Sequence, residues 1–149
     1  MDTNDAETMT DDERDAFLGR SGTGVLSFST PDDDPPHSIP VSYGYDPVEG
    51  ILYFRLAAGD REKAALLDRG VTFVVHGERD GRWRSVVAGG RLVSTTHESV
   101  AAETIEGLER TGRIPIVDVF GEPTGQVEFG FYRLESDRIT TRIERSAEL

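Results

Sequence analysis

The sequence has no cysteine and a single lysine, and it has no apolar run as long as a membrane-spanning helix. Without cysteine, disulfides, thiolate nucleophiles and cysteine-ligated metals are excluded. No secretory apolar region is found near the N-terminus, so we expect a cytoplasmic protein that does not associate with membranes. The net charge of −12 argues against nucleic acid as a partner, because phosphate backbones require a basic surface.

Arginine supplies 15 of the 16 basic residues, whereas acidic residues are spread through the N-terminal segment and the loops. At about 1 M salt the Debye length is roughly 3 Å, so repulsion among these carboxylates would be screened. We interpret the acidity as adaptation to a salt-rich, halophilic cytoplasm rather than as a binding surface.

With 149 residues and 36% apolar content, the chain is long enough for one domain with a real core. Residues 1–9 are polar and without periodicity, so we predict a flexible tail followed by a single domain over residues 10–149. A capping box, Thr10 to Glu13, predicts a helix that ends near Leu18.

Alternating and β-branched segments predict about seven strands, and no regular alternation of strands with helices is evident. Asp80-Gly81 is a hairpin signal, and Gly89-Gly90 within a long strand indicates a bulge or a close approach. A second capping box at residues 95–98 predicts a helix, and Asp137 predicts the turn of a final hairpin. These elements predict a mainly β (α+β) fold: a six- to seven-stranded antiparallel split β-barrel with short flanking helices.

Several kinds of site are disfavoured by the residues. The three histidines lie on different predicted elements without ligand spacing, so we predict no metal site. A Gly-x-Ser-x-Gly elbow, a Walker A sequence and a Rossmann fingerprint are all missing from the chain. Covalent catalysis and dinucleotide binding by a Rossmann motif are therefore not expected.

The segment from residue 59 to 67 contains the most informative pattern. Asp60 suits an N-cap, but Arg61 and Lys63 fall in the first turn, where the helix dipole disfavours cations. A strand, a glycine-containing turn and a helix start with two added cations indicate an anion site, most simply for phosphate. The alternative is that both cations are solvated and offset by Asp60 and Glu62.

The strand predicted over residues 38–45 contains Pro40, which cannot donate to a ladder. The strand is therefore an edge, bulged, or open toward a ligand at that point. Together with the phosphate-ready turn and the aromatic residues of neighbouring strands, this combination suits a phosphorylated aromatic cofactor.

These segments resemble the flavin-binding split barrels of the pyridoxamine 5'-phosphate oxidase-like superfamily, particularly its small nitroimidazole-resistance-like branch. The similarity covers about residues 10–145. It is carried by Ser38-Ile-Pro-Val-Ser-Tyr-Gly-Tyr45, by Ile51-Leu-Tyr-Phe-Arg55, by Lys63 with Leu67, and by Arg82-Trp-Arg-Ser-Val-Val87 with Gly90. Related chains often have His where Arg55 stands and Gly or Ser where Arg61 stands.

The resemblance implies a homodimer with two FMN molecules at the subunit interface. It implies that the isoalloxazine ring is bordered by Pro40, Val41, Ser42 and Tyr43, and the ribityl chain by Phe54, Arg55, Leu56 and Ala57. It further implies that Arg61 and Lys63 hold the phosphate, and that a strand reaching the cofactor across the interface carries Trp83, Arg84 and Ser85. The arginine clusters that bind pyridoxal phosphate in the true oxidase are not evident, so synthesis of vitamin B6 is not the expected activity.

The expected function is that of an FMN-dependent oxidoreductase. It would pass electrons from a nicotinamide or deazaflavin donor to a small organic acceptor. One alternative is a flavin- or haem-binding store or sensor without turnover, and another is a deazaflavin-dependent reductase on the same fold. No residue stands out as a catalytic acid or base.

Overall fold

The computed structural model describes residues 6–31, 33–57, 67–110 and 129–144. The predicted helix start at residues 59–63 and the apolar loop around residues 114–117 lie outside these ranges. Two α-helices in the described part are α1 (Asp11–Leu18) and α2 (Ala102–Arg110). The strands are β1 (Ala6–Glu7), β2 (Ser21–Phe28), β3 (His37–Asp46), β4 (Ile51–Ala57), β5 (Gly70–Arg79), β6 (Arg82–Thr95) and β7 (Phe129–Glu144).

Helix α1 begins at the predicted capping box. The backbone N–H of Glu13 donates to Thr10 Oγ1 over 3.1 Å, and the backbone N–H of Thr10 donates to Glu13 Oε1 over 3.0 Å. These two bonds satisfy donors that the first turn leaves without helical partners. The helix ends before Gly19, whose φ of 62° lies in the left-handed region that glycine adopts without strain.

Six strands close into an antiparallel barrel, as predicted. The strand order is β1-β7-β4-β3-β2-β5-β6, and β6 also pairs with β7, which closes the sheet. The β5–β6 hairpin turns at Asp80 and Gly81, both with positive φ, as a two-residue type I′ turn requires.

The core lies inside the barrel and consists of the apolar side chains that alternate inward along each strand. Phe54 is fully buried, and its ring meets that of Phe73 edge to face at 4.8 Å between centroids. Tyr43 packs on the other side of Phe73 at 5.5 Å. Aromatic pairs of this geometry contribute beyond the area that they bury.

The predicted hairpin around Asp137 is wrong, because β7 is one continuous strand. Its residues 138–143 pair with β6 residues 84–89, and its residues 131–136 pair with β6 residues 90–95. The register shifts at Gly89 and Gly90, so that Asp137 is the extra residue of a β-bulge. Asp137, a residue type that is common in turns, therefore forms a bulge here. The bulge predicted at Gly89-Gly90 is confirmed.

Two other boundaries differ from the predictions. The second capping box leads only into a 3-10 turn at His97–Ser99, and α2 begins at Ala102. Near the N-terminus, Ala6 and Glu7 pair with β7 and Met9 is buried. This part of the predicted tail therefore belongs to the fold, because Met9 supplies an apolar anchor that the polar composition around it conceals.

Candidate functional site

The barrel opens between β3 and β4. The ladder between them runs from Asp46 and Ile51 to Tyr43 and Phe54, and it ends there. Beyond that point β4 residues 55–57 pair with β7, and β3 residues 37–42 pair with β2. Each strand keeps its other neighbour on both sides of this point, β7 for β4 and β2 for β3, and only the ladder between β3 and β4 ends. The side of β3 that faces β4 therefore has no ladder partner over residues 38–41 in the described part of the chain.

Pro40 lies in this opening. It is paired in register with Val25 of β2, and its side chain is exposed on the outer face of the barrel. A proline cannot donate a backbone hydrogen bond, so its position beside an open edge leaves no buried donor unsatisfied. Of the three possibilities that the sequence left for this strand, the structure shows an edge at this point, since residues 37–42 pair with β2 and not with β4 in the described part of the chain.

The β3 residues proposed for the flavin ring divide between the two faces of the sheet. Pro40 and Ser42 face outward, whereas Val41 and Tyr43 point into the core and are buried. Val41 and Tyr43 can therefore reach a ligand on the outer face only through their backbone atoms.

The β4 residues proposed for the ribityl chain show the same division. Arg55 is exposed on the outer face, whereas Phe54 and Leu56 point into the core and are buried. Ala57 lies on the same face as Arg55 by strand alternation, and it is buried there. The last β3–β4 pair is Tyr43 with Phe54. Ser42 adjoins Tyr43 on β3 and Arg55 adjoins Phe54 on β4, so the two side chains lie on the outer face on opposite sides of the opening. The structure thus brings together Pro40, Ser42 and Arg55 as side chains.

The third group, on β6, is not close to the opening within one subunit, since β2 and β5 lie between β3 and β6 in the sheet. Trp83 is 50% exposed and stacks on His76 with 6.1 Å between ring centroids. Ser85 pairs with His76 on the same face. These residues could meet the cofactor only in a neighbouring subunit.

Arg84 lies on the opposite face of β6 from Trp83 and Ser85, directed toward the end of the barrel. Its side chain is 12% exposed and lies 4.0 Å from Asp80 Oδ2, and its buried Nε has no hydrogen-bond partner in the described ranges. The positive charge of Arg84 helps to lower the pKa of the Glu13 carboxyl, although the hydrogen bonds from Thr10 are the larger cause. This position favours a role in holding α1 rather than a cofactor.

Two tyrosine hydroxyls also fix α1 to the barrel. Tyr43 donates to the carbonyl oxygen of Leu18 over 2.7 Å, and Tyr45 donates to Asp15 Oδ1 over 2.6 Å. Burial raises the pKa of both hydroxyls to about 12, with the Asp15 carboxylate adding to the effect at Tyr45. Both groups therefore stay protonated donors at neutral pH, and β3 is held in place at the end away from Pro40.

An apolar stripe on the outer face was not predicted from the sequence. Pro40 pairs with Val25, Val25 with Val74, and Val74 with Val87. Val25 is 39% exposed, although its strand neighbours Leu26 and Phe28 are fully or almost fully buried. Strands with apolar residues on both faces indicate a sheet covered on both sides, and that signal was present in the run Val71-Thr-Phe-Val-Val75.

Arg61 and Lys63 lie outside the described residues, so the phosphate site stays a prediction. Among the residues that the structure describes, no three His, Asp or Glu side chains converge as metal ligands would. Within the same ranges, no helix has the length and hydropathy needed to cross a bilayer.

Comparison with known proteins decides the family. Over residues 10–143 the sequence matches the profile of the pyridoxamine 5'-phosphate oxidase family. The chain belongs to the pyridoxamine 5'-phosphate oxidase family. No protein among the curated ones matches the sequence, so the relatives described below are solved structures.

Three structures illustrate how the oxidase-family fold is shared at low identity. An FAD-binding protein from Mycobacterium smegmatis is 16% identical, with a TM-score of 0.62 and coverage of 95% of this chain and 100% of that one. An FAD-binding protein from Mesorhizobium loti is 19% identical, with a TM-score of 0.61 and coverage of 93% and 96%. A candidate 5-nitroimidazole antibiotic resistance protein from Bacteroides thetaiotaomicron is 11% identical, with a TM-score of 0.61 and coverage of 93% and 87%.

At these identities the neighbours establish the fold of the oxidase family and nothing finer. The predicted resemblance and the predicted split barrel are confirmed. Two of these neighbours are named as FAD-binding proteins.

Proposed function

We propose that this protein is an FMN-dependent oxidoreductase that passes electrons from a nicotinamide or deazaflavin donor to a small organic acceptor. The observation that carries the proposal is the separation of β3 from β4 beyond Tyr43 and Phe54. It produces an open strand edge on the surface of an otherwise closed barrel. Two structural neighbours, both named as FAD-binding proteins, support a flavin in a fold of this kind.

The residues at the opening fit an isoalloxazine ring. The backbone of residues 38–41 borders the opening without a β4 ladder partner in the described part of the chain, and backbone donors and acceptors suit the polar groups of the ring's pyrimidine edge. Pro40 removes one donor from this edge and presents a flat apolar surface instead. The ribityl chain would run along residues 54–57, and Arg61 and Lys63 would hold the phosphate.

When bound, the flavin supplies the redox chemistry. The protein's own residues would bind and orient the ring, and the buried side chains beneath it (Val41, Phe54, Leu56) would exclude water from its lower face. Arg55, on the outer face of β4, would bring a positive charge near the ring and favour its anionic reduced form. No step requires a protein acid or base.

The apolar stripe supports a homodimer with the cofactor at the subunit interface. Pro40, Val25, Val74 and Val87 form a continuous row across four strands, and Trp83 is exposed on the same face. Contiguous exposed apolar surface of this kind marks an interaction site. A second copy would cover it and would bring its own Trp83 and Ser85 to the ring.

The test is a titration of the purified protein with FMN, followed by the visible spectrum after removal of unbound flavin. We expect retained flavin peaks that bleach anaerobically with NADH, NADPH or a reduced deazaflavin. Arg55→Gln should weaken binding, whereas Arg20→Gln should not, because Arg20 is an exposed arginine just before β2 that lies beside the other end of β3.

The outcomes separate the alternatives. Failure to retain any flavin would refute the proposal. Retained flavin that no donor reduces would favour a storage or sensor role, and tighter binding of a deazaflavin than of FMN would favour a deazaflavin-dependent reductase. A haem Soret band in the purified protein would indicate a haem carrier instead.

A further inference from the structure

A second concave region lies on the outer face, near the first residues of β3. It is a groove of about 410 Å³, within the usual range for sites that bind small molecules. Strands β2, β5 and β6 form its floor, and Pro36 lies at its edge. This groove is separate from the opening between β3 and β4.

Hydroxyl groups line one side of the groove. Ser27 pairs with Thr72 across β2 and β5, and Thr72 pairs with Gly89 across β5 and β6. The Ser27 and Ser38 hydroxyl oxygens lie 2.7 Å apart and share a hydrogen. Hydroxyls both donate and accept, so this row can bind either the hydroxyls or the ester oxygens of a polar ligand.

Gly89 leaves the floor of the groove bare. A Cβ built on Gly89 would meet only Val71 O, at 3.8 Å, and the residue does not have the positive φ that would require glycine. The next residue differs, because a Cβ on Gly90 would lie 2.0 Å from Glu135 O. Glycine inside a strand lowers stability and often marks a bulge or the close approach of a ligand. Gly89 lies at the bulge opposite Asp137, and the open space above it also leaves room for a ligand.

The bulge in β7 places two charged side chains at the groove. Asp137, the extra residue opposite Gly89 and Gly90, is exposed and has no ion pair in the described part of the chain. Arg91 lines the same groove, and its NH1 donates to the carbonyl oxygen of Asp68 over 2.8 Å. That bond orients the guanidinium while leaving other N–H groups for a ligand.

The groove combines a carboxylate, a guanidinium and several hydroxyl groups, and this combination suits a ligand with both ribose and phosphate groups. A carboxylate accepts hydrogen bonds from the vicinal hydroxyls of a ribose, and an arginine binds phosphate oxygens in pairs. The geometry points to this groove as the site for the ribose–phosphate part of a dinucleotide. In a protein with a net charge of −12, Arg91 supplies the local positive charge that such an anion needs.

The groove is close enough to the opening to serve the same reaction, so this inference rests on the proposed function. Ser38 and Pro40 lie on the same face of β3, two residues and therefore about 7 Å apart. Two dinucleotides carry the required moiety: FAD, with its adenylate half in the groove, and the nicotinamide donor.

Isothermal titration with ADP-ribose, which has no redox-active ring, tests the site itself. We expect saturable binding that Asp137→Asn, Arg91→Gln and Gly89→Val each weaken by about tenfold, the scale of one charged hydrogen bond. Matched controls are Glu49→Gln, Arg20→Gln and Gly77→Val, which make the same changes away from the groove. Thermal unfolding of every variant shows whether a loss of binding reflects a loss of fold.

Flavin and donor measurements then identify the source of the ligand. Binding of FAD about tenfold tighter than FMN, reduced to equality by the groove variants, identifies the flavin tail. An unchanged ratio of FAD to FMN affinity, with a raised KM for NADH in the variants, identifies the donor.

ADP-ribose that does not bind, or that binds all groove variants as it binds the wild type, would overturn the inference whether or not FMN binds. A wild-type protein that takes up no flavin but binds ADP-ribose in the variant-dependent way would refute the proposed function and still support the groove.

Discussion

The hydroxyl of Tyr43 donates to the carbonyl oxygen of Leu18 across 2.7 Å, and it joins the last residue of α1 to the middle of β3. The bond is buried, and it satisfies one of the carbonyl groups that a helix leaves without partners at its C-terminus. Because the β3–β4 ladder also ends at Tyr43, the same residue holds the helix and marks the start of the opening.

Replacing Tyr43 by Phe should lower the free energy of unfolding by about 1 kcal/mol, the usual contribution of one such hydrogen bond. The measurement is urea unfolding followed by circular dichroism. Tyr53→Phe is the matched control, since Tyr53 is equally buried and its hydroxyl has no hydrogen bond in the described residues. Equal losses in the two variants would show that the bond to Leu18 contributes nothing specific.

Alkaline pH should destabilise the protein through Tyr43 and Tyr45. Burial raises the pKa of both to about 12 in the folded state, above the usual value of 10. The folded state therefore holds these protons more tightly than the unfolded state. The contribution of the two hydroxyls to the free energy of unfolding is complete below pH 10 and is lost as the pH rises from 10 to 12. The tyrosinate absorbance and the unfolding midpoint, followed together, check this.

The double variant with Phe at both positions should unfold over that pH range with a shallower dependence on pH. A wild-type protein that ionises all its tyrosines near pH 10 while remaining folded would contradict the assigned burial.

Lys63→Ala should weaken FMN affinity by about 1.5–3 kcal/mol, the scale of a charge-assisted hydrogen bond. That difference is roughly a tenfold to hundredfold change in Kd. Riboflavin, which has no phosphate, provides the internal control, because its affinity should not change. Equal effects on FMN and riboflavin would place the phosphate elsewhere.

Val25→Asp should disrupt the proposed dimer. A two-fold interface would bury two unpaired carboxylates, and a cost of about 3 kcal/mol corresponds to a dissociation constant raised by roughly a hundredfold or more. Light scattering over a range of concentrations measures the change. Val48→Asp makes the same substitution at a hairpin residue that is 91% exposed, and it should leave the mass unchanged.

A wild-type protein that scatters as a monomer at all concentrations would contradict the interface, and the site would then consist of one subunit alone.

Local patterns in the sequence were sufficient to predict most of the barrel. The capping box at Thr10, the turn at Asp80 and Gly81, and the inward alternation on β3 depend on neighbouring residues, and each is found in the structure. The effect of Pro40 could also be anticipated, because a residue without an N–H restricts what can lie beside it.

Features that depend on distant partners could not be predicted. Asp137 looks like a turn residue, but whether it makes a turn or a bulge depends on its register with Gly89 and Gly90 of β6. The separate positions of Trp83 and Arg84 on the two faces of β6 follow from strand alternation once the inward face is known. The apolar stripe required the order of the strands, which brings Val25, Val74 and Val87 into one row.

The long β7 strand has a consequence for how the protein is made. It pairs with β1, so the last described segment of the chain contacts one of the first. It also pairs with both β4 and β6 and thereby closes the barrel between them. A nascent polypeptide cannot complete this closure until its C-terminal region has left the ribosome. Until then β4 and β6 expose unpaired margins, and premature termination before β7 should yield aggregation-prone products rather than a smaller stable domain.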